Sequence, residues 1–355
     1  MKINKEQDSK LRDLNISSIR PLLSPSEYEK DIPLTREMTN SVKIGRESIN
    51  AIVNGKDDRL IVIVGPCSIH DTQAATDYAK KLVKLSKVIE SKILVVMRVY
   101  FEKPRTTLGW KGMIYDPHLN GSFDIEEGLR RARTFLSDIT KLGVLSATEF
   151  VDPITPQYIA DFVSWAAIGA RTAESQTHRQ MASGLSMAVG IKNGTGGSVQ
   201  LAVDAIVAVN SKHAFLGVDS KGTASVVMTS GNPYAHLVLR GGANGPNFDK
   251  ESVEDSIKKL NGSSVNDRII IDCSHANCQK KFELEPKVFD EVLSQRLSGN
   301  KKIVGVMLES NLNSGKQDLD EKNPSSLQYG VSITDPCLGW EETEDMLLDA
   351  FRKLS

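Results

Sequence analysis

Leu60-Ile61-Val62-Ile63-Val64-Gly65-Pro66-Cys67-Ser68-Ile69-His70-Asp71 carries the plan of the chain. Its first five residues are apolar and mostly β-branched, as in a strand buried on both faces of a parallel sheet. Gly65 and Pro66 stop the run, and the Cys67 thiol follows at its C-terminal end. The plan recurs downstream. Apolar runs over residues 93–97, 144–148, 187–191, 237–239, 268–271 and 303–308 end in Arg98, Glu149, Lys192, Arg240, Asp272 (with His275 just beyond) and Glu309. A shorter run over 165–168 leads to Arg171.

Helical patterns near 42–54, 73–88, 125–141, 155–162, 174–184, 198–210, 250–260, 286–298 and 341–354 separate these runs. Residues 215–218 and 224–228 flank a short turn and predict an inserted hairpin, about 214–229, rather than a crossover. Without the hairpin, eight strands remain, each followed by a helix or a helix-length segment. Strict alternation implies a parallel sheet, and eight repeats imply a closed (β/α)8 barrel over residues 46–355. A doubly wound open sheet is the structural alternative. Residues 1–45 form a polar N-terminal extension broken by Pro21, Pro25 and Pro33, with helix starts at 24–27 and 33–36. Its first dozen residues suit a loose tail.

The 355 residues exceed the about 250 of a typical barrel, which leaves room for such additions. The formal net charge of −1 gives no bulk attraction to nucleic acid or membrane, so any basic site is a local cluster. Four cysteines without a CxxC spacing make no disulfide scaffold and fit reduced thiols in a cytoplasm. The N-terminus is too polar for a signal peptide, and no apolar run approaches the roughly 18 residues of a membrane span.

A barrel of this class places its active site at the C-terminal strand ends. Those ends read Cys67, Arg98, Glu149, Arg171, Lys192, Arg240, His275 and Glu309. Arg98, Arg171, Lys192 and Arg240, with Lys103 and Arg105 from the loop after Arg98, form a cationic cluster. Guanidinium forks match phosphate and carboxylate. The turns 194–197 and 241–242 are glycine-rich and precede helices, so their amides are expected to face phosphate. Together these features predict one or two phosphorylated, carboxylated small substrates. A thiol, an imidazole and a carboxylate at Cys67, His275 and Glu309 form a metal set, with Asp335 as a possible fourth ligand. Mixed soft and hard donors suit a divalent Mn, Fe, Co or Zn ion.

The segments 65–71, 97–107, 168–172, 192–195, 239–242 and 272–277 resemble class I 3-deoxy-D-arabino-heptulosonate 7-phosphate (DAHP) synthase, of the aromatic-amino-acid-regulated subtype. The resemblance implies condensation of phosphoenolpyruvate with erythrose 4-phosphate, the entry step to the shikimate pathway. It implies a divalent metal on Cys67, His275, Glu309 and Asp335, and phosphoenolpyruvate on Arg98, Lys103, Arg171, Lys192 and Arg240. Erythrose 4-phosphate would lie on Lys103, Pro104, Arg105 and Thr106, its aldehyde near the metal beside Asp335. Within that frame, Lys103 is the expected acid for the new alkoxide, and Glu149, with His275, the expected base or orienter of water.

The resemblance also implies inhibition by an aromatic amino acid at a distant cavity formed by Asp13, Ile16, Pro153, Gln157, Ser186 and Phe215. Pro153 favours tyrosine over phenylalanine. It further implies a homodimer or homotetramer, and those same residues could serve only to pack that interface. Three rival readings are a sister condensation with a five-carbon sugar phosphate, a metal-dependent aldolase, and a non-catalytic phospho-metabolite sensor. The 103–107 loop and the N-terminal extension argue against the first. The cation count argues against the second, and the intact metal set with Lys103 against the third.

Overall fold

The computed structural model describes residues 11–354. Ten strands occur among them: β1 (Leu60–Gly65), β2 (Ile93–Arg98), β3 (Ser146–Glu149), β4 (Trp165–Ile168), β5 (Ala188–Lys192), β6 (Ala214–Val218), β7 (Ala224–Met228), β8 (Ala235–Leu239), β9 (Ile269–Asp272) and β10 (Ile303–Glu309). Eight close into a barrel in the order β1-β10-β9-β8-β5-β4-β3-β2. Every ladder is parallel, and β1 pairs with both β2 and β10. The expected (β/α)8 barrel is therefore the fold, and the open sheet is excluded. β6 and β7 form the expected antiparallel hairpin outside the barrel.

The apolar runs become strands because both faces are covered. Every residue of β1 and β10 is buried. One side packs under helices such as Thr72–Ile89 and Ile125–Lys141. Side chains at helix starts fix where these begin. Asp71 accepts from the amides of Gln73 and Ala74, and Asp249 from Ser252, each such cap being worth about 1 kcal/mol.

The barrel interior is a second apolar cluster that includes Ile61, Ile63, Val96, Trp165, Val238 and Met307. Ile49, Ile52 and Val53 join it from outside the sheet. They belong to a helix, Arg36–Val53, whose N-cap is Thr35. The helix expected over 42–54 and the start expected at 33–36 are thus one element. Sequence reading separated them because residues 36–41 are mostly polar and carry little apolar periodicity to join the start to the rest. The division at residue 45 falls inside this helix.

From Leu22 onward the extension packs on the barrel's flank, while residues 11–21 are exposed. Helix Pro25–Asp31 is capped by Ser24 and Glu27. The Ser26 amide donates to Ser220 O of the hairpin turn at 2.8 Å. Tyr158 Oη donates to Leu23 O at 3.0 Å, and Arg133 Nε to Ile32 O at 3.0 Å. Of the expected loose tail, residues 1–10 lie outside the described residues.

Candidate active site

The C-terminal strand ends surround a cavity of about 800 Å³. Glu149, Arg171, Lys192, Arg240, His275 and Glu309 line it, together with Lys103 to Leu108 and Asp335. Six of the eight predicted strand ends therefore share one wall. The other two lie just beneath it. Cys67 is fully buried, and Lys103 Nζ donates to its Sγ at 3.1 Å. Arg98 is fully buried, its guanidinium 2.9 Å from Glu309 Oε1 and stacked 4.0 Å above the Tyr100 ring.

The cations divide into paired and unpaired ones. Lys192 Nζ lies 2.8 Å from Asp272 Oδ2. Arg171 Nε donates to Thr106 Oγ1 at 3.0 Å, which draws the 103–108 loop over the cavity. Arg105 Nε is held by Trp110 O at 2.8 Å. Burial lowers the pKa of Arg240, and Arg171 adds to that effect while Asp272 opposes it. Two guanidiniums that repel each other across a cavity form a receptor for an anion.

Cys67, Glu309 and Asp335 offer ligand atoms that all lie within 4.8 Å of one another. His275 stands beside this group rather than in it, with Nε2 3.9 Å from Glu309 Oε1. Its Nδ1 faces Asp272 Oδ2 at 3.0 Å, and its backbone is left-handed at φ +58°. Burial pushes the Cys67 thiol up to about 12, helped by Glu309 and Asp335 and opposed by Lys103 and Arg98. Burial disfavours the Lys103 ammonium, but Cys67, Glu309 and Asp335 outweigh it and hold it protonated. One soft and two hard donors, with an imidazole 3.9 Å away, fit a divalent transition ion.

Glu149 is buried, and its Oε1 has no hydrogen-bond partner. It packs on Gly169, where any Cβ would meet that oxygen at 2.0 Å. A buried acceptor aimed into a cationic cavity lacks the proton donor it needs.

The glycine turns spend most, but not all, of their amides inside the protein. The amides of Gly194, Gly197, Gly242 and Ala243 bond to backbone carbonyls, and that of Gly241 to Asn247 Oδ1. Only the bond from Ala243 to Thr195 joins the two turns, and the others fix each turn's own shape, while the amides of Thr195 and Gly196 at the cavity wall are not spent on the backbone of the described residues. A Cβ on Gly242 would lie 2.3 Å from Gly197 Cα, so glycine here serves close backbone packing. Only Thr195, Gly196, Gly242 and Ala243 of these turns reach the cavity wall.

The six predicted effector residues lie elsewhere, and none lines this cavity. Asp13, Ile16, Gln157 and Ser186 are exposed, while Pro153 and Phe215 are half-buried. The Ile16 amide donates to Asp13 O at 3.1 Å. Sequence reading missed Lys280 and Glu285, which also line the cavity. Glu285 Oε2 accepts the Glu309 amide at 3.1 Å. It precedes a proline at a helix start, where an acidic residue reads as solvated, so nothing local marked it.

The family model described as DAHP synthetase I matches residues 32–348. The chain belongs to the DAHP synthetase I family. It is an enzyme of that family, and its relatives span almost its whole length. It is 49% identical over 335 residues to the Phe-sensitive phospho-2-dehydro-3-deoxyheptonate aldolase of Escherichia coli (strain K12), covering 94% of this chain and 95% of the relative. To the Tyr-sensitive enzyme of the same strain it is 43% identical over 349 residues, covering 98% of each. Among solved structures, the phospho-2-dehydro-3-deoxyheptonate aldolase from Francisella tularensis SCHU S4 superposes with a TM-score of 0.93. It is 48% identical, and the match covers 96% of this chain and 98% of that one.

Proposed function

We propose that this chain condenses phosphoenolpyruvate with erythrose 4-phosphate to give DAHP and phosphate, the first step of the shikimate route. The observation that carries the reading is the wall shared by Lys103, Arg105, Arg171, Lys192 and Arg240 with the unpartnered carboxylate of Glu149. Two anionic substrates repel each other, and this wall offsets that repulsion while fixing their mutual orientation.

Arg171, Lys192, Arg240 and Lys103 hold the phosphate and carboxylate of phosphoenolpyruvate, with Arg98 supporting from beneath. Pro104, Arg105 and Thr106 hold erythrose 4-phosphate, whose aldehyde faces Asp335. Cys67, His275, Glu309 and Asp335 hold a divalent Mn, Fe, Co or Zn ion, which when bound polarises the aldehyde oxygen as a Lewis acid. Carbon 3 of phosphoenolpyruvate bonds to the aldehyde carbon, and Lys103 donates the proton to the resulting alkoxide. Glu149 takes a proton from water as the oxygen adds at carbon 2, and His275, whose lone pair goes to the ion, helps only to orient that water. The carbon 2–oxygen bond to phosphate then breaks, phosphate leaving with its electron pair and the proton of the carbon 2 hydroxyl, which becomes the ketone.

We also propose feedback inhibition by an aromatic amino acid bound through Asp13, Ile16, Pro153, Gln157, Ser186 and Phe215. The extension's contacts with the hairpin turn and with Tyr158 support this, because they join the extension to the hairpin that carries Phe215 and to the helical turn that carries Gln157. Pro153 favours tyrosine, whereas identity is higher to the Phe-sensitive relative. Exposed Leu216, Val226 and Met228 on the hairpin support a homodimer or homotetramer. We read the enzyme as cytoplasmic. No helix of the described residues is long and apolar enough to cross a membrane.

One assay tests the reading. Metal-reconstituted protein receives phosphoenolpyruvate with erythrose 4-phosphate or with a five-carbon aldose phosphate, with and without Tyr, Phe or Trp. The expected result is phosphate release with the four-carbon sugar, slowed most by tyrosine. Turnover only with the five-carbon sugar, or none with either, would overturn the substrate assignment. Indifference to all three amino acids would overturn the regulatory one.

A further inference from the structure

Asp272 sits fully buried at the C-terminal end of β9, and its two oxygens serve different groups. Oδ2 lies 2.8 Å from Lys192 Nζ and 3.0 Å from His275 Nδ1. Oδ1 accepts from Ser274 Oγ at 2.5 Å and from the Ser274 amide at 3.1 Å. Lys192 ends β5, and β8 lies between β5 and β9 in the barrel. One carboxylate therefore ties two separate strands' functional groups together behind the cavity wall.

The consequence for His275 is directional. Nδ1 also lies 2.7 Å from Ser274 Oγ, whose one proton goes to Asp272 Oδ1; since neither that hydroxyl nor the ionised carboxylate has a proton left to give, Nδ1 carries the ring proton. Nε2 is then left with its lone pair, and it is the atom turned toward Glu309, 3.9 Å from Oε1. The left-handed backbone at His275 is held by Lys280 N donating to His275 O at 2.7 Å, so ring and main chain are both constrained. The same carboxylate fixes the Lys192 ammonium at the cavity wall. A merely structural ion pair with Lys192 would not need the second contact to the imidazole.

We propose that Asp272 is the positioning residue that joins the metal-holding side of the site to the phosphoenolpyruvate-holding side. It sets the His275 tautomer so that Nε2 is available as a ligand, and it aims Lys192 with the same oxygen. This rests on the metal and substrate assignments made above.

The test titrates Co(II) into metal-stripped protein, followed by calorimetry and by visible absorption, and separately measures phosphoenolpyruvate binding. Wild-type protein must first bind Co(II). If it does not, the metal assignment itself fails, and this proposal falls with it. Given that binding, Asp272→Asn weakens Co(II) affinity about 10–100-fold and changes its absorption bands, the scale usual for loss of a carboxylate behind a ligating histidine. Lys192→Met weakens phosphoenolpyruvate binding but leaves Co(II) affinity within about threefold, against the at least tenfold loss of the first variant. Asp272→Asn/Lys192→Met removes both buried charges together and leaves no unpaired one, so it serves as the folded counterpart to the single variant. It keeps the Co(II) defect. Wild-type Co(II) affinity and spectrum in a folded Asp272 variant, single or double, would overturn the proposal.

Discussion

Gly169 and Glu149 pack so closely that a Cβ on the glycine would lie 2.0 Å from Oε1 of the carboxylate. That oxygen has no hydrogen-bond partner. Gly169→Ala therefore pushes the carboxylate from its place without removing it. The expected outcome is a fall in kcat, in the same direction as the roughly 10²–10⁴-fold loss expected of Glu149→Gln, with the melting temperature little changed. Steady-state kinetics on both variants checks this. Full turnover with an unchanged pH profile in Glu149→Gln would remove its assigned role.

Arg98 and Glu309 form an ion pair 2.9 Å apart, and both side chains are almost fully buried. Arg98→Met leaves an unpaired charge behind the cavity. Its expected cost is about 3–5 kcal/mol in metal-free protein, and Arg98→Met/Glu309→Leu recovers most of it. Denaturant titration of the two variants tests the difference. Equal losses in both would mean that packing, not charge, dominates here.

Chelation should abolish turnover, and Mn, Fe, Co or Zn should restore it. Binding to the folded state alone adds about 2.7 kcal/mol of stability at a metal concentration of 100 times Kd. Cys67→Ala is expected to fold, because a buried cysteine otherwise acts as a small hydrophobe, yet to show no such thermal shift. A normal shift and full activity in that variant would exclude Cys67 as a ligand.

Glu102 tethers the substrate loop to the segment that carries Pro153. It accepts from the amides of Val151 and Asp152, from Thr155 Oγ1 and from Tyr115 Oη. Burial pushes its carboxyl up to about 8; the Val151 and Asp152 amides oppose this, and the Asp152 charge adds to it. The folded state thus holds this proton where the unfolded chain, near 4.5, has released it. Stability from this group is present below about pH 4.5 and is lost as pH rises through about 8, with a slope of at most about 1.4 kcal/mol per pH unit. Urea midpoints measured across that window should fall in the wild type and flatten in Glu102→Gln. Parallel curves for the two proteins would contradict this.

Much of the site was legible because β-branched runs announce buried strands and a barrel orders their ends. Cys67, Glu149, Lys192 and Glu309 could be placed from position alone. Local sequence carries no sign of what a side chain meets across the barrel. Asp272 reads as one more charged strand end, and its link to Lys192 spans 80 residues. Arg98 reads as a free cation, yet Glu309, 211 residues away, occupies it. The glycine turns show the opposite failure. Their composition suits an anion cradle, but the amides of Gly194, Gly197, Gly241 and Gly242 are engaged within the protein, which leaves only those of Thr195 and Gly196 at the cavity wall.

β1 pairs with β10, so the first strand made waits for the last. As the chain leaves the ribosome, the sheet from β1 to β9 carries two raw edges until residues 303–309 emerge. Those edges, Leu60–Gly65 and Ile269–Asp272, are unpaired and largely apolar, a form prone to wrong pairing between neighbouring chains. Truncation upstream of Ile303 would leave that state permanent, and would send the product to chaperones or aggregates rather than to a smaller working enzyme.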